Sequence, residues 1–335
     1  MSDSAQTRRD RLELPIAVDA MGGDRAPREI VAGAVTASRE RGYRVTLVGR
    51  SVELQTQLET LGAGGSSVEI VDAPELVSME EHAVAAVRRK TRASITVACQ
   101  EVADGRATAV VSAGNSGAVV ASAIFTIGRL PGVERPGIAI PFPTAHGTPV
   151  YVIDAGAVVD PRPVHLVQLA LLLRDYLRDV RGVDNPRIAL LSNGEEPGKG
   201  NALVRETHEL LAASGEVNFV GNIEANAIPD GAVDGVLCDG FSGNILLKAA
   251  EGTAELFQAA LRAELTARWH TRLLTAALRP SLRRAIRSLD YREYGGAPLL
   301  GVKRPVIIAH GRSDRRAIAN AIVAAAQAVG HGDST

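Results

Sequence analysis

Aromatic residues make up only 3% of this 335-residue chain, and a single Trp is present. Its core must therefore be built mainly from Ala, Val, Leu and Ile. An excess of one charge is also lacking: the net charge is −1, which argues against a generally basic nucleic-acid binder. Cysteine is scarce. Cys99 and Cys238 sit in apolar stretches, with neither metal-ligand spacing nor a Cys-x-x-Cys pair, and read as buried free thiols of a reducing compartment. No apolar run approaches a membrane span, "LVQLALLL" being among the longest. The first ten residues, "MSDSAQTRRD", lack the apolar stretch of a secretory signal, so a cytoplasmic location is expected. What remains is ordinary for a soluble domain, with 46% hydrophobic and 22% charged residues. The length alone fits one large domain or two smaller ones.

Short β-branched runs alternate with longer Ala/Leu-rich stretches. Strands are expected over 15–18, 44–48, 68–71, 109–111, 138–140, 150–153, 188–191, 217–220, 233–238 and 306–309. Helices are expected over 27–40, 51–61, 94–102, 116–127, 163–180, 202–213 and 313–329, with Pro27 and Pro163 as first-turn residues. The strand runs do not alternate, as when both faces are buried in a mainly parallel sheet covered by helices. The expectation is an α/β, three-layer α/β/α fold. No repeat or linker divides the chain, so 13–330 reads as one domain between a flexible segment, 1–12, and a flexible tail, 331–335.

Residues 253–290 carry no strand signal and read as a helical extension interrupted at Pro280. Phe257, Leu261, Leu265, Trp269 and Leu273 form an apolar stripe at four-residue spacing. From Arg262 to Arg287 there are seven arginines, among them Arg279, Arg283, Arg284 and Arg287, against the single acid Glu264. Such a segment either packs its stripe inward or offers a basic amphipathic surface to an anionic membrane or an acidic protein.

Ligands of open α/β sheets bind beyond the carboxyl ends of the strands. Five predicted ends carry Gly, small hydroxyls, Asn and a few charges: "DAMGGD" from Asp19, "SAGNSG" from Ser112, "SNGEEPGKGN" from Ser192, "DGFSGN" from Asp239 and "HGRSD" from His310. Glycine admits close approach of a ligand to backbone, and a helix's first turn offers unpaired N–H groups to an anion. Ser and Asn serve equally as helix caps, so each loop alone is weak. Together the five predict a converging anion site. Its binding residues would be Asp19, Gly22, Gly23, Asp24, Ser112, Gly114, Asn115, Ser116, Gly117, Asn201, Ser242, Gly243 and Asn244. Lys199 is the candidate cation, with Asp239 and His310 to orient the anion or relay a proton. Known signatures do not fit. "GEEPGKGN" has the wrong spacing for a P-loop and lacks its Ser/Thr. The Gly-x-Ser-x-Gly elbow and the Gly-x-Gly-x-x-Gly fingerprint are missing, and the histidines lack paired metal-ligand spacing.

"AVDAMGGD", "VSAGNSGA", "GEEPGKGN", "FVGNIE", "CDGFSGN" and "EYGGAPLLGVKRPVIIAHGRSD" occur in this order over nearly the whole chain. In this the sequence resembles the bacterial phosphate acyltransferases of phospholipid synthesis, which move an acyl chain from acyl carrier protein to inorganic phosphate. The resemblance implies a fold related to phosphotransacetylases and the isocitrate dehydrogenase group, a homodimer, and peripheral attachment to the membrane. It implies acyl carrier protein and phosphate as partners, and a downstream glycerol-3-phosphate acyltransferase as a further one; from charge, histidine spacing and the chemistry of phosphate attack on a thioester, no nucleic acid, cofactor or metal is expected. Two stretches depart from the family: "GAVVD", where Val158 replaces an Asn, and "RRKTRASI" before the 94–102 helix. The alternatives are a phosphotransacetylase-like enzyme using acyl-coenzyme A and a membrane-associated scaffold with weakened catalysis.

Overall fold

The computed structural model describes residues 14–268, 270, 271, 275, 278 and 295–331. Its frame is one eleven-stranded sheet: β1 (Ile16–Asp19), β2 (Val45–Gly49), β3 (Val68–Asp72), β4 (Val110–Ser112), β5 (Gly137–Phe142), β6 (Val150–Ile153), β7 (Arg187–Leu191), β8 (Asn218–Ile223), β9 (Gly235–Leu237), β10 (Ala297–Leu300) and β11 (Val306–Ile308). The spatial order is β3-β2-β1-β4-β11-β10-β5-β6-β9-β7-β8. The helices are α1 (Arg28–Arg41), α2 (Ser51–Thr60), α3 (Ala83–Arg89), α4 (Ser94–Ala103), α5 (Ser116–Ser122), α6 (Pro163–Asp179), α7 (Ala202–Ser214), α8 (Gly240–Ala267) and α9 (Arg315–His331). A π-helical turn, Ala123–Ile127, continues α5.

β1 and β2 are buried at every position, as expected of strands covered on both faces. Successive residues of β11 divide between the layers: Val306 and Ile308 join the core beneath α4, α5 and α8, and Ile307 joins that beneath α1 and α9. The second face continues under α6 and α7, where Leu166, Leu169 and Leu173 meet Ile188 and Leu190. The three-layer α/β/α expectation is thus met.

Sheet direction matters most for the site. β3, β2, β1, β4 and β11 are mutually parallel, and so are β6, β9, β7 and β8. Between the two groups, β10 runs antiparallel to β11 and to β5, and β5 antiparallel to β6. Three reversals leave the groups pointing in opposite directions. The carboxyl ends of β1, β4 and β11 therefore lie at one edge of the sheet, and those of β6, β9 and β7 at the other.

Some sequence expectations need correction. β10 is absent from the expected strands; Pro298 and the flanking glycines of "GGAPLLG" disfavour a strand locally, and pairing with β11 and β5 overrides that signal. The short helix α3 was also unforeseen. Pro27 is the residue before α1 rather than in its first turn, whereas Pro163 does open α6. The helix expected from residue 253 begins at Gly240, so the extension continues a helix that starts at a strand end. Trp269, Arg279, Arg283, Arg284 and Arg287 lie outside the described residues. Cys99 and Cys238 are free and buried, as read from the sequence. Among the described residues, no helix is long and apolar enough to cross a membrane.

Candidate active site

Three loops leave neighbouring strands at one sheet edge, since Leu237 of β9 pairs with Ile153 of β6 and with Leu190 of β7. The first begins at Asp154, whose buried carboxylate gathers backbone donors. Its Oδ1 accepts from Ile138 N (2.9 Å), Gly156 N (3.1 Å) and Ala157 N (3.0 Å), and its Oδ2 from Val158 N (2.6 Å). Burial raises its pKa, while these four N–H groups pull it the other way.

This loop seats α8. Val158 O accepts from Gly240 N at 2.9 Å, and Cys238 Sγ donates to Asp154 O at 3.4 Å. A Cβ on Gly243 would come within 1.9 Å of Asp154 O, so only glycine permits this approach. Asp239 caps the helix: Oδ1 accepts from Ser242 N (2.8 Å) and Oδ2 from the Ser242 hydroxyl (2.7 Å). Asn244, one turn in, is exposed and faces Gly156.

The third loop carries Lys199. Asn193 Oδ1 accepts from Gly200 N (2.9 Å), and Asn222 Nδ2 donates to Glu196 O (2.9 Å). The Lys199 stem lies over Gly194, where a Cβ would be 2.8 Å from its Cγ. Among the described residues, no hydrogen bond or ion pair takes up the Lys199 ammonium or the Asn244 amide. This edge thus presents a cation, a carboxamide and the start of a 28-residue helix, a combination suited to an oxyanion.

The opposite edge is built differently. Asp19 is buried and accepts from the Ser112 hydroxyl at 2.6 Å and from Met21 N at 3.3 Å. Burial raises its pKa against the pull of these donors and of Ser94. A Cβ on Gly22 would lie 2.5 Å from Asp19 Oδ2 and 2.8 Å from Gly114 N. Asp24 N donates to Gly311 O at 2.9 Å. Here glycine lets loop pack against loop. The cavity left beneath Gly22 and Gly114 is about 10 Å³, room for one water and too small for phosphate.

α8 joins the two edges. Glu251 lies eleven residues beyond Gly240, roughly 16 Å along the axis. It faces His310 Nε2 at 3.5 Å and the Lys248 ammonium at 2.9 Å, and Glu255 meets Arg312 at 2.7 Å. His310 Nδ1 accepts from Arg312 N at 3.1 Å.

The comparisons with known proteins agree with one another. The family described as "Fatty acid synthesis protein" matches residues 14–334. The chain is 47% identical over 311 residues to a phosphate acyltransferase of Nitratidesulfovibrio vulgaris, covering 93% of this chain and 90% of that one. It is 46% identical over 316 residues to that of Pelotomaculum thermopropionicum, covering 94% and 92%. The chain belongs to the phosphate acyltransferase family. Its fold is shared by phosphotransacetylases from Streptococcus pyogenes (TM-score 0.63, 21% identity, 98% and 99% of the two chains) and Staphylococcus aureus (0.62, 17%, 98% of each).

In this acyltransferase the residues singled out from sequence fall into two groups. Lys199, Asn201, Asp239, Ser242, Gly243 and Asn244 share one edge. Asp19, Gly22, Gly23, Asp24, Ser112, Gly114, Asn115, Ser116, Gly117 and His310 share the other. The expectation that all five loops converge at one sheet edge is therefore corrected by the strand reversals. Several roles change as well. Asn115 Oδ1 caps α5 by accepting from Ala118 N, while Nδ2 donates to the carbonyls of Ser78, Met79 and Glu81. Asn201 caps α7 by accepting from Val204 N at 2.9 Å. Both are braces, and Ser112 is turned inward to Asp19. Ser116 and Gly117 remain exposed at the start of α5.

Sequence reasoning missed Asp154 and Asn222. Asp154 carries the same signal as the other loops, an acid, Gly and small residues after a strand, and Asn222 stands in "FVGNIE". The departure at Val158 leaves the wiring intact, because its backbone N and O make the contacts.

Proposed function

We propose that the protein transfers a fatty acyl group from acyl carrier protein to inorganic phosphate, yielding acyl phosphate and free carrier protein for phospholipid synthesis. The observation that carries this reading is that one sheet edge presents an unpartnered Lys199 ammonium, an exposed Asn244 amide and the start of α8. A phosphate oxygen attacks the thioester carbonyl carbon. The C–O bond forms, the C–S bond breaks, and the leaving thiolate takes the proton released by hydrogen phosphate. Phosphate is already nucleophilic and a thiolate leaves readily, so neither a strong base nor a dedicated acid is needed. The protein's task is positioning, which contributes at most roughly 7–11 kcal/mol, and oxyanion stabilisation, about 3–4 kcal/mol per critical donor. In this scheme Lys199 holds phosphate, and Asn244 and Ser242 line the path of the carbonyl oxygen. Asp239 and Asp154 position α8, while Asn222 steadies the Lys199 loop. His310, held by Glu251 and Arg312, organises the far end of α8.

The arginines at 279, 283, 284 and 287 suit an acidic carrier protein or an anionic membrane surface. We place the protein in the cytoplasm as a homodimer, peripherally attached to the membrane and passing acyl phosphate to a glycerol-3-phosphate acyltransferase. The test incubates an acyl-carrier-protein thioester with and without phosphate, following free thiol and hydroxylamine-trappable acyl product. Both should appear only with phosphate, and Lys199→Ala and Asn244→Ala should each lower turnover about a hundredfold. Unchanged phosphate dependence in both variants rejects the assignment. The phosphotransacetylase fold favours one second reading, an acyl-coenzyme A donor; equal or faster turnover of that thioester would select it.

A further inference from the structure

The β10–β11 hairpin, "PLLGVKRPVI", belongs to the stretches that mark the family resemblance, yet it contains none of the residues assigned to either loop cluster. All ten of its residues, 298–307, line a cavity of about 370 Å³. That volume lies within the roughly 300–1,000 Å³ of small-molecule sites. The walls are apolar: Leu130, Leu172, Leu300, Val306 and Val329, with the ring of Tyr176. Tyr176 packs edge-on against Tyr151 at 5.4 Å, and its hydroxyl bonds to that neighbour, so it offers the cavity mainly carbon.

The rim is charged, and its charges do not cancel. Asp175 is neutralised by Arg174 at 2.8 Å, and Asp179 by Arg178 at 2.7 Å. Lys303 and Arg304, both exposed, have no ion-pair partner among the described residues. An apolar chamber whose lining includes two spare cations complements an amphiphile with an anionic head.

We propose that this cavity binds the tail of a long-chain acyl anion, a free fatty acid or an acyl phosphate, with Lys303 and Arg304 on the head group. The choice of a fatty acyl tail rests on the acyl-transfer reading, whereas the anionic head follows from the rim alone. The test is equilibrium binding of radiolabelled palmitate to the full-length protein below the micellar concentration. Palmitoyl phosphate and butyrate serve as competitors, and radiolabelled hexadecanol as the uncharged probe.

Palmitate should bind saturably and one to one, and butyrate should not displace it. Displacement by palmitoyl phosphate at lower concentration than by palmitate itself would name acyl phosphate as the preferred head, and the reverse order a free fatty acid. Leu172→Trp, which narrows the chamber, and the exposed pair Lys303→Glu/Arg304→Glu should each weaken palmitate about tenfold. The charge pair should spare hexadecanol. Absence of saturable binding, or binding indifferent to both variants, overturns the proposal. So does a charge-pair variant that halves the particle mass without palmitate ever binding, since the cavity would then belong to a second copy of the chain. Binding requires neither phosphate nor thioester. Phosphate-dependent turnover without palmitate binding defeats this inference alone, and the converse defeats only the acyl-transfer reading.

Discussion

Adding one methyl group at Gly243 tests whether Asp154 seats α8. The Cβ of Gly243→Ala would lie 1.9 Å from Asp154 O and 2.8 Å from Cys238 Sγ, whereas ordinary contact begins near 3.4 Å. Neither neighbour yields cheaply, because Asp154 is pinned by four N–H groups and Cys238 is buried. The start of α8 must therefore retreat by more than an ångström. That shift breaks the bond from Gly240 N to Val158 O and loosens the Cys238 contact, each worth about 1 kcal/mol. With the overpacking itself, the loss comes to about 3 kcal/mol. Gly252→Ala supplies the control, since it lies in the same helix with nothing within 4 Å of its added carbon. It should stabilise the protein by about 0.5–1 kcal/mol through helix propensity. Denaturant unfolding of both variants, paired with phosphate-dependent thiol release, measures the contrast. Gly243→Ala should also lose turnover at temperatures where it remains folded, because Ser242 and Asn244 move with the helix. If it unfolds within about 0.5 kcal/mol of the parent and keeps its activity, the seating argument is wrong.

Acid should act through Glu251. Burial works to raise its pKa, but hydrogen bonds and charge from His310 and Lys248 bring it down to about 2 from 4.5. A carboxylate with a depressed folded-state pKa contributes stability above its unfolded value, and loses it as pH falls through the folded one. Glu251→Gln should therefore cost at most about 3 kcal/mol at neutral pH, with the gap closing between pH 4.5 and about 2; a gap independent of pH would refute the coupling. Cys99 and Cys238 are held far from thiolate formation, chiefly by burial. A thiol reagent should label neither in the native state and both on unfolding, and prompt native labelling would contradict their burial.

The sequence by itself determined the layers and most of the strands. Runs rich in β-branched residues and without alternation, such as "IAVD" and "VTLVG", have to be covered on both faces, and Ala/Leu-rich segments between them supply the cover. Motif order was likewise enough to place the chain in its family, because six stretches in fixed sequence are specific where one is not. The identity of Lys199 as a cation inside a Gly-bracketed loop was also legible locally. Tertiary structure alone decided which loops meet. β10, masked by Pro298, inserts antiparallel between β11 and β5 and reverses the second half of the sheet. The reversal depends on long-range pairings, Leu299 with Ile138 and Val306 with Val110, and no local pattern encodes them. The same holds for glycine. "DAMGGD" and "DGFSGN" look alike on paper, yet one lets loop close on loop and the other brings a helix onto the backbone of Asp154. What a missing Cβ makes room for is known only when the neighbour is in place.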